Sequence, residues 1–168
     1  MWVCGLASPA PSDYVALMKI AIASDHAAFD LKQELAANLR EWGHDVIDLG
    51  PDSAERVDYP DFGYKLANAV ASGEAERGVA LCGSGIGISM AVNRHPGARC
   101  ALVNEPYSAA LCREHNDANI IAMGARLIGP DMARTCLQTF LVAEFQGGRH
   151  AGRVAKLTEP SLNNTPAG

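Results

Sequence analysis

Cys82 opens the run Cys82-Gly83-Ser84-Gly85-Ile86-Gly87-Ile88-Ser89, whose residue types suit a reactive thiol beside a bound anion. Glycines at 83, 85 and 87 let backbone approach a ligand closely, and a following helix start supplies free N–H groups and partial positive charge. A thiol among such groups is populated as thiolate and could act as base or nucleophile. The alternative is a small buried apolar side chain, the usual fate of a free cysteine. Glycine also serves tight strand-to-helix turns that bind nothing, and the run lacks the Lys-Ser/Thr pair of a P-loop.

Other residue types in the chain complement a thiol. Asp25 and His26 end the first apolar run, although Asp25 could simply cap the helix that follows. His115-Asn116 follows a helical stretch, where an imidazole titrating near neutrality could move protons or could be a solvated helix end. Arg149 and Arg153, four residues apart, would share a helix face and could grip a phosphate, or form an exposed basic face. Arg126 adds a third guanidinium just past another strand. Cys100, Cys112 and Cys136 fall inside apolar segments and read as core.

The elements that must position these residues follow from apolar periodicity. Lys19 to Ser24 is a short apolar run of the kind found in a buried parallel strand. Leu31, Leu35, Leu39 and Trp42 make a helical stripe that stops at Gly43. Asp45–Leu49, Gly78–Leu81, Ala98–Val103 and Asn119–Met123 read as four further strands. Pro60, Pro106 and Pro130 open intervening helices, the last running to Gly147-Gly148. This alternation predicts a three-layer α/β/α sandwich on a five-stranded parallel sheet, Rossmann-like with flavodoxin-like strand order, and a ligand crevice at the strands' carboxyl ends.

Bulk properties bound the reading. With 168 residues, 48% hydrophobic and 20% charged, the chain can bury one substantial core, and residues 18–158 are expected to form it. Residues 1–17, with Ser8-Pro9-Ala10-Pro11-Ser12, read as a flexible extension without a targeting signal, and 159–168 as a loose tail. A net charge of -5 argues against general affinity for nucleic acid or anionic membrane. Five scattered cysteines with no CxxC pair suggest reduced thiols in a cytoplasmic protein rather than a zinc site.

Taken together, Ser24-Asp25-His26-Ala27, Asp58-Tyr59-Pro60-Asp61, the Cys82–Ser89 run, Glu105-Pro106-Tyr107-Ser108-Ala109, Arg113-Glu114-His115-Asn116-Asp117-Ala118-Asn119 and Gly147-Gly148-Arg149-His150 resemble the ribose-5-phosphate isomerase B family, which also holds galactose-6-phosphate isomerase subunits. The resemblance spans about Met18 to Leu157. It implies a cofactor-free and metal-free aldose-ketose isomerase of the non-oxidative pentose phosphate pathway, with a phosphorylated sugar as substrate. By family analogy Cys82 is the base that moves a proton between C2 and C1 through a cis-enediolate. Some members use a glutamate elsewhere in the loop, near where this chain has Ser89.

The same resemblance implies that His115 opens the furanose ring while Asp25 and Tyr59 hold the sugar. Ser84, Asn116 and the amides of Gly83, Gly85 and Gly87 would stabilise the enediolate oxygen. Arg149 and Arg153 with His26 would bind phosphate, and Arg126 the sugar or phosphate end. It further implies a homodimer or tetramer whose active site is shared, so that the His115 segment serves the neighbouring subunit's Cys82. Competing readings are a hexose 6-phosphate isomerase and a non-enzymatic sugar-phosphate-binding module. A dinucleotide oxidoreductase is disfavoured because the glycine loop follows the third strand, not the first.

Overall fold

The computed structural model describes residues 16–159; most of the expected extension and tail lie outside the described residues. Five strands, β1 (Lys19–Ser24), β2 (Asp45–Asp48), β3 (Arg77–Cys82), β4 (Cys100–Leu102) and β5 (Ile120–Gly124), alternate with helices. The helices are α1 (Phe29–Glu41), α2 (Tyr59–Ala71), α3 (Ile86–Val92), α4 (Pro106–Glu114), α5 (Pro130–Val142) and α6 (Ala151–Thr158). All strand pairings are parallel. Among the described residues no helix is long and apolar enough to cross a membrane.

The three-layer, Rossmann-like architecture is as expected, but the strand order is β2-β1-β3-β5-β4 rather than the flavodoxin-like 2-1-3-4-5. Burial explains the exchange. Every residue of β5 is buried, whereas β4 is half-exposed throughout, so the more apolar strand takes the inner place. Because the chain steps outward to β4 and back to β5, right-handed crossovers put α4 on the same face as α1 and α5. The core divides accordingly: Leu31, Leu35, Leu39, Leu137 and Phe140 pack on one face, and Leu66, Ala67, Ile88 and Val92 on the other. Leu35 and Leu39 are fully buried, each worth about 1.5–3 kcal/mol in transfer alone.

Consequences for position follow from the order. β3 and β5 are neighbours, with Cys82 opposite Gly124, so the segment after β5 lies against the glycine loop. Helix α4 runs back to the amino end of β5, carrying His115 to the opposite end of the sheet from Cys82. Helix α5 stops at Val142, short of the expected Gly147, and a 3-10 turn at Gly148–His150 leads into α6. Gly147 and Gly148 have φ of 61° and 53°, a left-handed pair that suits the sharp reversal.

Candidate active site

A cleft of about 350 Å³ opens at the carboxyl ends of β1, β3 and β5, lined by Asp25, His26, Tyr59, Cys82, Gly83, Ser84, Gly87, Arg126 and Leu127. Cys82 closes β3 and is 4% exposed, and the Gly85 N–H donates to its Sγ at 3.1 Å. Asp25 is both cap and cleft residue. Its Oδ1 accepts from Ala27 N and Ala28 N at 3.0 and 3.2 Å, which leaves Oδ2 for a ligand. The Nδ1 of His26 meets Val57 O at 3.1 Å and Val57 N at 3.3 Å, which turns Nε2 away from that loop. Arg126 donates its backbone N–H to Gly83 O at 3.0 Å, and its guanidinium lies over Gly83.

The glycines serve internal packing as much as any ligand. Gly85 has φ of 75°, and a Cβ there would stand 2.7 Å from Leu102 Cδ1 and 2.8 Å from the Met123 carbonyl carbon. At Gly87 a Cβ would meet the Tyr59 ring at 2.7 Å, so that ring rests on bare backbone. Gly124 on β5 does the same for Ser84, whose backbone lies 2.6 Å from the Cβ position. The amides of Gly83 and Ser84 make no hydrogen bond to any described residue and are free to donate, as is the Ser84 hydroxyl, whose Oγ accepts from Ile86 N at 3.3 Å. Such unengaged donors suit an oxyanion. Ser89 is tied to Ile86 O at 2.7 Å and offers no base.

His115, Asn116, Arg149 and Arg153 do not join this cleft. They lie at the other end of the sheet, roughly 15 Å away along a five-residue strand at ~3.3 Å per residue, so of the three arginines Arg126, Arg149 and Arg153, a single chain brings Arg126 alone to this cleft. There His115 stacks on His150, with ring centroids 4.3 Å apart and planes within 8°. Arg149 Nε donates to His150 Nε2 at 3.4 Å. Burial, then the charges of His115, Arg149 and Arg153, hold the His150 imidazole below its ordinary value, consistent with an unprotonated Nε2. Asn116 instead lines a separate hollow of about 380 Å³ with Asn93, Arg99, Cys100 and Leu157.

The turn bearing His115 is held by ion pairs that residue spacing alone does not disclose. Asp117, at φ 47°, accepts from Arg113 at 2.7 Å and from Arg99 at 2.8 Å, and Arg113 also reaches Ala118 O at 2.7 Å. His150 is the residue the sequence reading passed over; its place beside Arg149 was the available signal. Leu127 in the cleft wall was also missed, and nothing in its type marks it. Cys112 and Cys136, both pushed up to about 11 by burial, and Cys100, pushed up further by the same cause, have no role beside Cys82. Among the described residues no His, Cys, Asp and Glu cluster could hold a metal ion.

A family model described as Ribose/Galactose Isomerase matches residues 20–157. The chain belongs to that family. Ribose-5-phosphate isomerase B of Escherichia coli strain K12 is 46% identical over 142 residues, covering 84% of this chain and 95% of that protein. The D-erythrulose-4-phosphate isomerase of Pectobacterium atrosepticum is 42% identical, over 84% of this chain and 93% of its own. A solved structure of Clostridium thermocellum ribose-5-phosphate isomerase B superposes with a TM-score of 0.84 at 54% identity, covering 84% of this chain and 96% of that one. The chain therefore has the fold and the enzyme class of ribose/galactose isomerases.

Proposed function

We propose that this chain interconverts D-ribose 5-phosphate and D-ribulose 5-phosphate in the cytoplasm, as a step of the non-oxidative pentose phosphate pathway. The observation that carries this reading is Cys82 Sγ in the sugar-sized cleft, 3.1 Å from the Gly85 amide and flanked by the free amides of Gly83 and Ser84. With the open-chain aldose bound, the Cys82 thiolate takes the C2 proton, and the electron pair shifts to make a C1=C2 enediolate. Negative charge then gathers on O1, where Ser84 and the loop amides donate. Cys82 returns its proton to C1 while the C2 hydroxyl proton passes to O1, so that C2 becomes the carbonyl and the ketose results. Asp25 Oδ2, Tyr59 and His26 hold the sugar, and Arg126 its anionic end.

The cleft's imidazole, His26, holds the sugar, so ring opening requires a second one, and full phosphate binding requires more guanidinium than Arg126 supplies. Both are supplied by the partner subunit's His115, Arg149 and Arg153, with Asn116, when a second copy seats on the rim. Two features support that seating. Ile86, Met90 and Leu102, which are 45%, 65% and 39% exposed, place apolar surface beside the glycine loop and the edge strand β4. Helix α6 presents Val154 and Leu157 one turn apart yet buries no residue in its own chain.

The test is the ratio of kcat/KM values for ribose 5-phosphate and for allose or galactose 6-phosphate. A preference for the pentose by at least about tenfold is expected, the scale on which one extra carbon unit is discriminated. A preference for either hexose overturns the substrate. The 42% identity to a D-erythrulose-4-phosphate isomerase favours a second reading, a four-carbon substrate, which kcat/KM for D-erythrulose 4-phosphate against that for ribose 5-phosphate tests.

A further inference from the structure

Beneath the cleft lies a charged group that the reaction does not use. Lys32, on the inward face of α1, is 0% exposed. Its three ammonium donors are all engaged: Asp48 Oδ1 at 2.6 Å, Asp48 Oδ2 at 2.7 Å and Pro51 O at 2.9 Å. Asp48 Oδ1 also accepts from Gly50 N at 2.9 Å, and Gly50 O accepts from Ser24 N at 3.0 Å, next to Asp25. A buried ion pair offers little over two well-packed apolar side chains in stability, because desolvation offsets its attraction. What it does supply is direction, since each ammonium proton fixes one acceptor.

One of these acceptors, Pro51 O, begins the segment 51–58, which delivers two walls of the cleft. Asp52 to Arg56 are all exposed, and within the segment one long hydrogen bond is made, Glu55 N to Ser53 Oγ at 3.4 Å. The segment is thus pinned at its ends: by Lys32 at Pro51, and by Val57 on His26 Nδ1. Tyr59 follows at once and lays its ring over Gly87.

We propose that Lys32 is a positioning residue for the substrate cleft, its ammonium setting the entry of the loop that holds His26 and places Tyr59. This rests on the isomerase reading above. In Lys32→Met, KM for ribose 5-phosphate rises about tenfold while kcat changes less than about threefold, the signature of displaced binding walls around an intact base. Deuterium uptake increases at the amides of Ser24, Gly50 and Val57, which donate within this network, and not in β3 or β5. Asp48→Asn, which keeps the acceptor for Gly50 and removes the charge, shows the same split at a smaller size and serves where Lys32→Met fails to fold. An unchanged KM in a folded variant, or uptake raised equally throughout the sheet, overturns the proposal. Should the wild-type protein leave ribose 5-phosphate unchanged, the isomerase reading fails at substrate level, while the exchange measurement still decides whether Lys32 anchors the loop.

Discussion

The cleft beside Cys82 and the histidine pair below α4 are held by different means. In the cleft, position comes from backbone: amides reach Cys82 Sγ and Asp25 Oδ1, and glycines let β5 and Tyr59 close in on the loop. At the other end it comes from side chains, with Arg99 and Arg113 gripping Asp117 and His150 stacked against His115. One region has a thiol at the ligand cleft, a carboxylate, oxyanion donors and the His26 imidazole, with a single guanidinium lining it; the other has a stacked imidazole pair and four arginines, of which Arg99 and Arg113 are already taken by Asp117. The first is rich in groups that handle a proton and the second in positive charge. Backbone-built geometry suits a base that must be placed to a fraction of an ångström. Long cationic side chains suit the reach to a second copy proposed above.

The largest effect should come from the cleft. Cys82→Ser is expected to lower kcat by about 10³-fold, within the range of lost base catalysis, while calorimetric affinity for ribulose 5-phosphate stays within about threefold. Unchanged turnover would remove the base assignment. His115→Ala should cost about 10²-fold on ribose 5-phosphate and much less on D-erythrulose 4-phosphate, which cannot close a furanose because a four-carbon 2-ketose has no O5. Equal losses on both would end the ring-opening role. Mixing the two inactive variants after dissociation should restore about a quarter of wild-type activity, because half the dimers are hybrid and each hybrid has one intact shared site. No recovery would mean that each chain uses its own residues.

Smaller effects separate the two ways of building. Gly85→Ala imposes a left-handed φ and a close contact with Met123, and should destabilise by about 1–3 kcal/mol in denaturant titration, whereas Gly129→Ala, with open space around it, should be close to neutral. The smallest effect concerns pH. His150 has its imidazole held below the unfolded value of 6.5, so its contribution is complete above pH 6.5 and is lost as pH falls through that value toward the folded one. His44, buried and accepting from Met18 N, has the same sign. The melting temperature should therefore drop from pH 7.5 to 5.5, and His150→Gln should flatten part of that drop; an identical slope in the variant would contradict it.

Much of the architecture was legible because it rests on local signals. Leu31, Leu35 and Leu39 repeat at helical spacing, prolines stand at the starts of α2, α4 and α5, and Asp25 and Cys82 end apolar runs. Strand order was not, because β4 and β5 are both short and apolar, and only their burial after folding separates them. The division of the candidate site between two ends of the sheet was implied by the family resemblance but not by local signals, because it depends on where the return helix leads. Lys32 and Asp48, sixteen positions apart, read as ordinary charged residues until α1 and β2 are docked.

Gly124 closes β5 opposite Cys82, and the next two amides, Ala125 N and Arg126 N, donate to Cys82 O and Gly83 O, each at 3.0 Å. The backbones that carry the thiol and the guanidinium are therefore joined through the same pair of peptide groups. With Cys82 as proton acceptor and Arg126 at the anionic end, as proposed above, such a coupling would hold the span between their backbones constant, and the cleft would work as a fixed gauge for substrate length rather than as a jaw. A sugar one carbon longer would have to buckle to touch both, and the strain of that fit would fall on the substrate.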